Sequence, residues 1–178
     1  LFTDRNVDLI DGVSAGMIQA LNPFFIVVFA PAFAYFWVGL NRRKLEPNAA
    51  VKFAFAILFI GIGFFSLVLG SNLVGPDYKM SIIFLVVMYL FHTFGELCLS
   101  PVGLSMVSKL SIPRIAGLMM GVWFLSSSLA GYVSGLIAGL MSIPPVTENI
   151  QNMSALSLDI YISNFKVLGI LAIIVSFI

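Results

Sequence analysis

Long uncharged apolar runs, separated by short charged segments, constrain this sequence more than any other feature. Hydrophobic residues make up 60% of the 178 residues and charged residues only 10%. Soluble domains carry roughly 25% charged residues. A membrane-spanning helix needs about 20 predominantly apolar residues, and it satisfies all of its own backbone hydrogen bonds in lipid. The pattern therefore predicts an all-α polytopic membrane protein.

We predict four complete spans and a shortened fifth span. They cover approximately residues 13–38, 49–70, 78–108, 114–141 and 164–178 of a single transmembrane helical bundle, 1–178. The chain begins with Leu1 rather than methionine, and its last apolar run is shorter than a spanning helix requires. We therefore expect the chain to be a fragment of a longer protein.

Basic residues collect on alternate loops. Residues 42–44 are Arg-Arg-Lys and follow the first span, while Lys109 and Arg114 lie between the third and fourth spans. The positive-inside rule places these loops in the cytoplasm, and the polar stretch 142–163 is then expected outside. We expect a multi-pass protein of the plasma membrane, and specifically of a bacterial inner membrane.

Glu96 is the residue that most requires an explanation, because it lies near the middle of the third predicted span. An ionisable group at that depth costs roughly 2.5–3.5 kcal/mol on insertion scales, so it should face protein or a water-filled cavity. Glutamates in membrane spans usually mark ligand or proton pathways. A buried glutamate paired with a neighbouring helix for packing alone is the alternative.

A polar stripe passes through Glu96 and indicates a cavity wall. Its other members fall within about 60° of Glu96 on a helical wheel: Tyr89, His92, Thr93, Ser100 and Gly103. His92 is about 6 Å from Glu96 along the helix and could share a proton with it, or could be an ordinary hydrogen-bonded histidine. Pro101 removes a backbone donor and predicts a kink one turn from Glu96.

Two other spans carry candidate ligand-binding residues. Trp123 and Ser127 share a face of the fourth span, which suits either an aromatic cavity wall or a core tryptophan with a bonded N–H. Small residues on another face of that span indicate close helix packing. In the first span, Gln19 and Asn22 flank the turn that Pro23 loosens, where they could bind a polar ligand or repair the helix.

No residue pattern in the chain predicts covalent chemistry or a metal site. The sequence has one histidine, no HExxH pair and no GxSxG turn, which argues against an intramembrane metallohydrolase or serine protease. The single Cys98 excludes an internal disulfide framework. We expect a protein that is not an enzyme, has no metal or cofactor, and has no nucleic-acid partner.

The segment around Glu96 resembles a known transporter signature. Residues 95–105, GELCLSPVGLS, are similar to the signature in the tenth helix of the proton-dependent oligopeptide transporter family, which has the major-facilitator fold. Residues 2–7, FTDRNV, and 19–23, QALNP, resemble the segment leading into the family's eighth helix. Residues 119–125, MMGVWFL, resemble the eleventh helix. The three matches occur in the right order and at sensible spacing.

The resemblance implies the C-terminal half of a twelve-helix fold, from the end of the seventh helix into the twelfth. It implies proton-coupled symport of di- and tripeptides by alternating access, with protons as the coupling ion. Glu96 would then hold the peptide amino terminus, Asn22 would assist, and Trp123, Phe124 and Ser127 would line the side-chain pocket. The partners implied are the peptide, protons, the lipid bilayer and the absent N-terminal six-helix half.

Two alternatives remain open from the sequence. A relative on the same fold could carry nitrate or another small solute, although an anion carrier would need a basic residue in the cavity, and Glu96 argues against one in this half. A non-catalytic structural membrane subunit is the other alternative. It predicts that replacing Glu96 leaves every activity intact.

Overall fold

A computed structural model describes residues 2–9, 12–140 and 150–178, and these residues are almost entirely helical. In chain order the elements are α1 (Phe2–Asn6), β1 (Val7–Asp8), α2 (Ala15–Gln19), α3 (Leu21–Arg42), α4 (Ala49–Ser71), β2 (Met80–Ser81), α5 (Ile82–Leu110), a 3-10 turn (Pro113–Ile115), α6 (Ala116–Leu140) and α7 (Ile150–Ser176). Within the described residues, five helical segments are long and apolar enough to cross a membrane. The prediction of an all-α multi-span fold is confirmed.

Polar side chains mark where the membrane helices begin. The side chain of Asn48 accepts a hydrogen bond from the Val51 amide at 2.9 Å and caps α4. Ser14 caps α2 and Ser81 caps α5 in the same way. Each cap satisfies one of the backbone donors that the first turn of a helix leaves without an internal partner.

The first membrane segment is divided by a break at Ala20. The α2 helix ends at Gln19 and α3 begins at Leu21, where the sequence analysis predicted one continuous span over 13–38. Pro23 stands in the first turn of α3, where its missing N–H needs no helical partner. Because a new helix begins at Leu21, Pro23 occupies a first-turn position, where it does not interrupt the hydrogen bonds of a helix interior.

The centre of the bundle is the pair α4 and α5, and α7 packs on the other side of α4. Glycines allow these helices to approach closely. A methyl group on Gly95 of α5 would lie 2.7 Å from the carbonyl oxygen of Ala56 in α4, and one on Gly61 would lie 2.9 Å from Ile173 in α7. By contrast, α3 and the described residues of α6 include no buried residue.

The residues that precede the first span join the segment before α5 to the start of α7 at one end of the bundle. β1 and β2 form a parallel two-residue pair, with Val7 opposite Met80. Asn6 is fully buried beside this pair, and its amide donates to the carbonyl oxygens of Tyr78 at 3.1 Å and Ser154 at 2.9 Å. Its Oδ1 atom accepts from Ser157 at 2.7 Å. Three separate parts of the chain therefore meet at one side chain.

The predicted start of the fifth span, near Asn164, is wrong. The α7 helix begins at Ile150, and its membrane-length part is Ser154–Ser176. The polar side chains that suggested a loop are satisfied inside the helix, because Asn164 Nδ2 donates to the Ile160 carbonyl at 2.8 Å and Ser157 donates to Ser154. Residues 150–163 are thus helical rather than part of an outer loop. Met141, the predicted end of the fourth span, lies outside the described residues.

Candidate functional site

Glu96 is the central residue of α5, with 14 residues of the helix on either side of it. The neighbouring Gly95 is buried and lies directly against the backbone of α4 at Ala56. Successive helical residues point about 100° apart, so the side chain of Glu96 is directed away from that contact and is exposed. The close contact at Gly95 therefore fixes the direction in which the carboxylate points.

Asn22 and Glu96 form a hydrogen bond between α3 and α5. The Nδ2 atom of Asn22 donates to Oε2 of Glu96 at 3.2 Å. The hydroxyl of Thr93, which is fully buried, donates to the Tyr89 carbonyl at 2.8 Å and reaches Oδ1 of Asn22 at 3.4 Å. Asn22 is in the first turn of α3 because the chain breaks at Ala20. The break thus places the amide opposite the centre of α5.

The chemistry of this pair suits a positively charged ligand. Within the described part of the chain, Asn22 is the hydrogen-bond partner recorded for the Glu96 carboxylate, and no ion pair involves it. A carboxylate has acceptor sites for several donors, so most of the acceptor capacity of Glu96 remains available. An ammonium group, with three donors and a charge, is the natural complement of such a site.

The structure places His92 against α4. Its ring contacts Phe64 edge-on with ring centroids 5.0 Å apart. The ring also packs on Gly63, where a methyl group would lie 2.6 Å from it. Its Nε2 atom is buried without a hydrogen-bond partner among the described residues. No hydrogen bond recorded for the described residues joins His92 to Glu96, so the proton relay between them stays a prediction.

Of the predicted pocket residues of α6, Trp123 meets the polar stripe at Gly103, and no hydrogen bond among the described residues joins any of them to Glu96. Trp123 packs on Gly103, so closely that a methyl group there would overlap the indole ring. Gly103 is seven residues from Glu96, or about 10 Å along α5. Ser127 and Phe124 are exposed, and Phe124 has 58% of its surface accessible. The structure therefore joins Asn22 to Glu96 and packs Trp123 on the stripe at Gly103, and the pocket formed with Phe124 and Ser127 stays a prediction.

Pro101 lies within α5, and the helix continues past it from Ile82 to Leu110. Pro101 cannot donate to the carbonyl of Leu97, so the helix lacks one internal bond one turn from Glu96. The kink predicted there from the sequence stays a prediction. Among the described residues, no group of three or more histidine, cysteine or acidic residues could hold a metal ion.

The role of Thr93 in holding Asn22 was not predicted from the sequence. Thr93 belonged to the predicted stripe, yet its contact with Asn22 joins residues 71 positions apart and is not visible in any local pattern. The ion pair of Lys52 with Glu46 was also missed. Their spacing of six residues across a helix start gave no regular signal.

The fold and the site together define a polytopic membrane protein with a carboxylate-centred polar site at mid-span. Comparison with known proteins then identifies the family: the model of the POT family matches residues 1–156, and the chain belongs to that family. The expected major-facilitator fold is confirmed by solved transporters of the same family.

Among curated relatives, the chain is 39% identical over 152 residues to dipeptide and tripeptide permease A of Erwinia pyrifoliae, covering 85% of the chain and 30% of the relative. It is 34% identical over 161 residues to the uncharacterized transporter YclF of Bacillus subtilis, covering 89% and 32%. The chain therefore spans about a third of the length of these relatives.

Two solved structures show the same arrangement of helices. A crystal structure of peptide transporter POT in complex with sulfate aligns with a TM-score of 0.70 at 30% identity, covering 98% of this chain and 34% of the other. A structure from work on substrate recognition in proton dependent oligopeptide transporters aligns with a TM-score of 0.74 at 28% identity, covering 99% and 35%.

Proposed function

We propose that the full-length protein is a proton-coupled symporter of di- and tripeptides in the bacterial inner membrane, operating by alternating access. The observation that supports this best is the hydrogen-bonded pair Asn22–Glu96 at the centre of α5. A mid-membrane carboxylate is costly unless it serves a ligand or ion. The similarity to peptide permeases supplies the substrate class.

In this proposal Glu96 binds the positively charged amino terminus of the peptide. The amide of Asn22, which donates to Glu96 at 3.2 Å, would orient the carboxylate. Trp123, Phe124 and Ser127 would form an adaptable wall for side chains, since an indole and a hydroxyl combine apolar area with polar atoms. No covalent step is required, so the proposed protein is a carrier rather than an enzyme.

The proposed site is completed by the N-terminal six-helix half. Glu96 is exposed, and neither α3 nor the described part of α6 includes a buried residue, which leaves one side of the site open. A cavity between two halves of a transporter commonly contains the substrate at the membrane midplane. The other half would supply the contacts to the peptide carboxylate and the remaining proton-coupling groups.

The test is uptake of a dipeptide into liposomes that contain the full-length protein and carry an imposed proton gradient. Glu96→Gln keeps the shape and removes the charge, and we expect gradient-driven uptake to fall at least tenfold, because a charge-assisted bond contributes roughly 1.5–3 kcal/mol. An N-acetylated dipeptide should be rejected by the wild type. Asp77→Asn makes the same chemical change at an exposed loop position and should transport normally.

Two outcomes would contradict the proposal. If the wild type ignores peptides and carries nitrate or another small solute, the substrate assignment is wrong while the fold stands. If Glu96→Gln transports as well as Asp77→Asn does, then Glu96 has a packing role and the binding assignment is wrong.

A further inference from the structure

An apolar groove, separate from the Asn22–Glu96 site, lies between α3, α4 and α5. One end of it lies next to the basic loop 42–44. It has a volume of about 790 Å³, within the roughly 300–1,000 Å³ that ligand sites occupy. Its lining is aromatic and aliphatic and includes Phe29, Phe36, Leu45, Val51, Phe94 and Cys98. Such a surface offers no hydrogen bonds to a peptide backbone, whose burial there would be costly.

The groove has the depth of one leaflet of a bilayer. Along α3 its lining extends from Leu40 to Phe29, which is about 16 Å at 1.5 Å per residue. The hydrocarbon core of a bilayer is about 30 Å thick, so each leaflet contributes about 15 Å. A single acyl chain of the leaflet that meets the basic loop would therefore fill the groove from its mouth to its inner end.

The mouth of the groove carries a net positive charge that the described residues do not neutralise. Lys52 is buried beside the groove, 4.6 Å from the ring centre of the lining residue Trp37, and it is paired with Glu46 at 2.5 Å. Its charge is thus already compensated. The side chains of residues 42–44, Arg-Arg-Lys, are exposed and have no recorded hydrogen bond or ion pair within the described ranges.

We infer that this groove is a binding site for an anionic phospholipid of the cytoplasmic leaflet. One acyl chain would lie in the groove, and the phosphate would bind the cations at 42–44. Charge complementarity supports this occupant, because the cytoplasmic leaflet is the anionic one and the positive-inside rule places this loop there. The site is separate from Asn22 and Glu96 and does not depend on the proposed transport function.

The experiment is native mass spectrometry of the full-length protein with added phosphatidylglycerol or phosphatidylcholine of identical chains. Wild type should bind phosphatidylglycerol more tightly. Replacing Arg42, Arg43 and Lys44 by glutamine should weaken that binding roughly fivefold for each charge removed. The control is Lys109→Gln with Arg114→Gln, which removes two charges from the other basic loop and should change little, so losses are compared per charge removed.

A second pair of variants tests the acyl chain. Ala32 lines the groove and is exposed, so Ala32→Phe should fill the groove and lower phosphatidylglycerol occupancy several-fold. Ala34→Phe adds the same bulk at an exposed position of α3 that does not line the groove, and should bind lipid as wild type does.

Three results would overturn the inference. Equal binding of the two lipids by wild type would show no anionic site. An equal loss per charge in the Lys109 and Arg114 control would show attraction to surface charge in general. Unchanged occupancy in Ala32→Phe would show that no chain enters the groove, as expected if the N-terminal half covers it.

Discussion

At the scale of single residues, the site depends on a few hydrogen bonds between distant parts of the sequence. Asn22 and Glu96 are 74 positions apart, and Thr93 contacts the same amide. Sequence reasoning identified Asn22 and Glu96 as polar groups in apolar helices, since such groups must be satisfied. It did not identify Thr93 as the residue that holds Asn22, because a threonine bonded to its own helix is common and carries no separate signal.

Asn22→Leu tests this contact directly. The change keeps the branched shape and the number of side-chain heavy atoms but removes the donor to Glu96, so the carboxylate loses this hydrogen-bond partner. We expect kcat/KM for dipeptide uptake by the full-length protein to fall roughly ten- to hundredfold, because bonds to charged groups contribute about 1.5–3 kcal/mol. Asn41→Leu, at the exposed C-terminal end of the same helix, is the control. Equal kinetics in the two variants would show that Asn22 does not orient Glu96.

At the scale of elements, glycine contacts determine which way α5 faces. Gly95 packs on the backbone of α4, and Gly103 receives the indole of Trp123. The polar stripe of α5 predicted a cavity wall from the sequence. The partners of its glycines could not be predicted, because a glycine in a membrane helix is equally compatible with packing on any neighbour.

Gly95→Ala should separate α5 from α4. The added methyl would lie 2.7 Å from the Ala56 carbonyl oxygen, and a backbone atom cannot move aside cheaply. Overpacking of this kind costs about 1–3 kcal/mol, so the apparent Tm of the full-length protein in detergent should fall by several degrees.

Gly131→Ala is the matched control for that substitution. Gly131 lies in α6 with no atom within 4 Å of an added methyl, and alanine favours the helix by roughly 1 kcal/mol. Its Tm should stay unchanged or rise. A Gly95→Ala protein as stable as Gly131→Ala would show that α4 and α5 are not in close contact.

At the scale of the whole molecule, the hydropathy of the sequence predicted the number of spans. Each span needs about 20 mostly apolar residues, so every residue of a span contributes to the signal. The start of α7 was mispredicted for a related reason. Ser157 and Asn164 are polar, and only the folded chain shows that Ser157 bonds to Asn6, 151 positions away, and that Asn164 bonds within its helix. A hydropathy window averages composition over neighbours in sequence and contains no information about such partners.

Asn6 is hydrogen-bonded to Tyr78, Ser154 and Ser157, and its contribution to stability can be tested together with that of Ser157. Each of Asn6→Ala and Ser157→Ala removes the same 2.7 Å bond, while Asn6→Ala also leaves the carbonyls of Tyr78 and Ser154 without this donor. We expect Asn6→Ala to be the more destabilising of the two by thermal denaturation of the full-length protein. The exposed Asn72→Ala should have little effect.

The double variant decides whether the end of the bundle that contains Asn6 behaves as one structural unit. If Asn6 and Ser157 stabilise the fold through their shared hydrogen bond, the first substitution already removes that bond, and the second then lowers the free energy of unfolding by less. The double variant should then lose less stability than the sum of the single losses, with a coupling of about 0.5–1.7 kcal/mol, as for hydrogen bonds between membrane helices. Strict additivity would mean that the Asn6–Ser157 bond adds no stability of its own, and that α1 is held on α7 by the Asn6–Ser154 bond and by Phe2, whose ring centroid lies 5.3 Å from those of Tyr161 and Phe165. In that case Phe2→Ala should be more destabilising than Ser157→Ala.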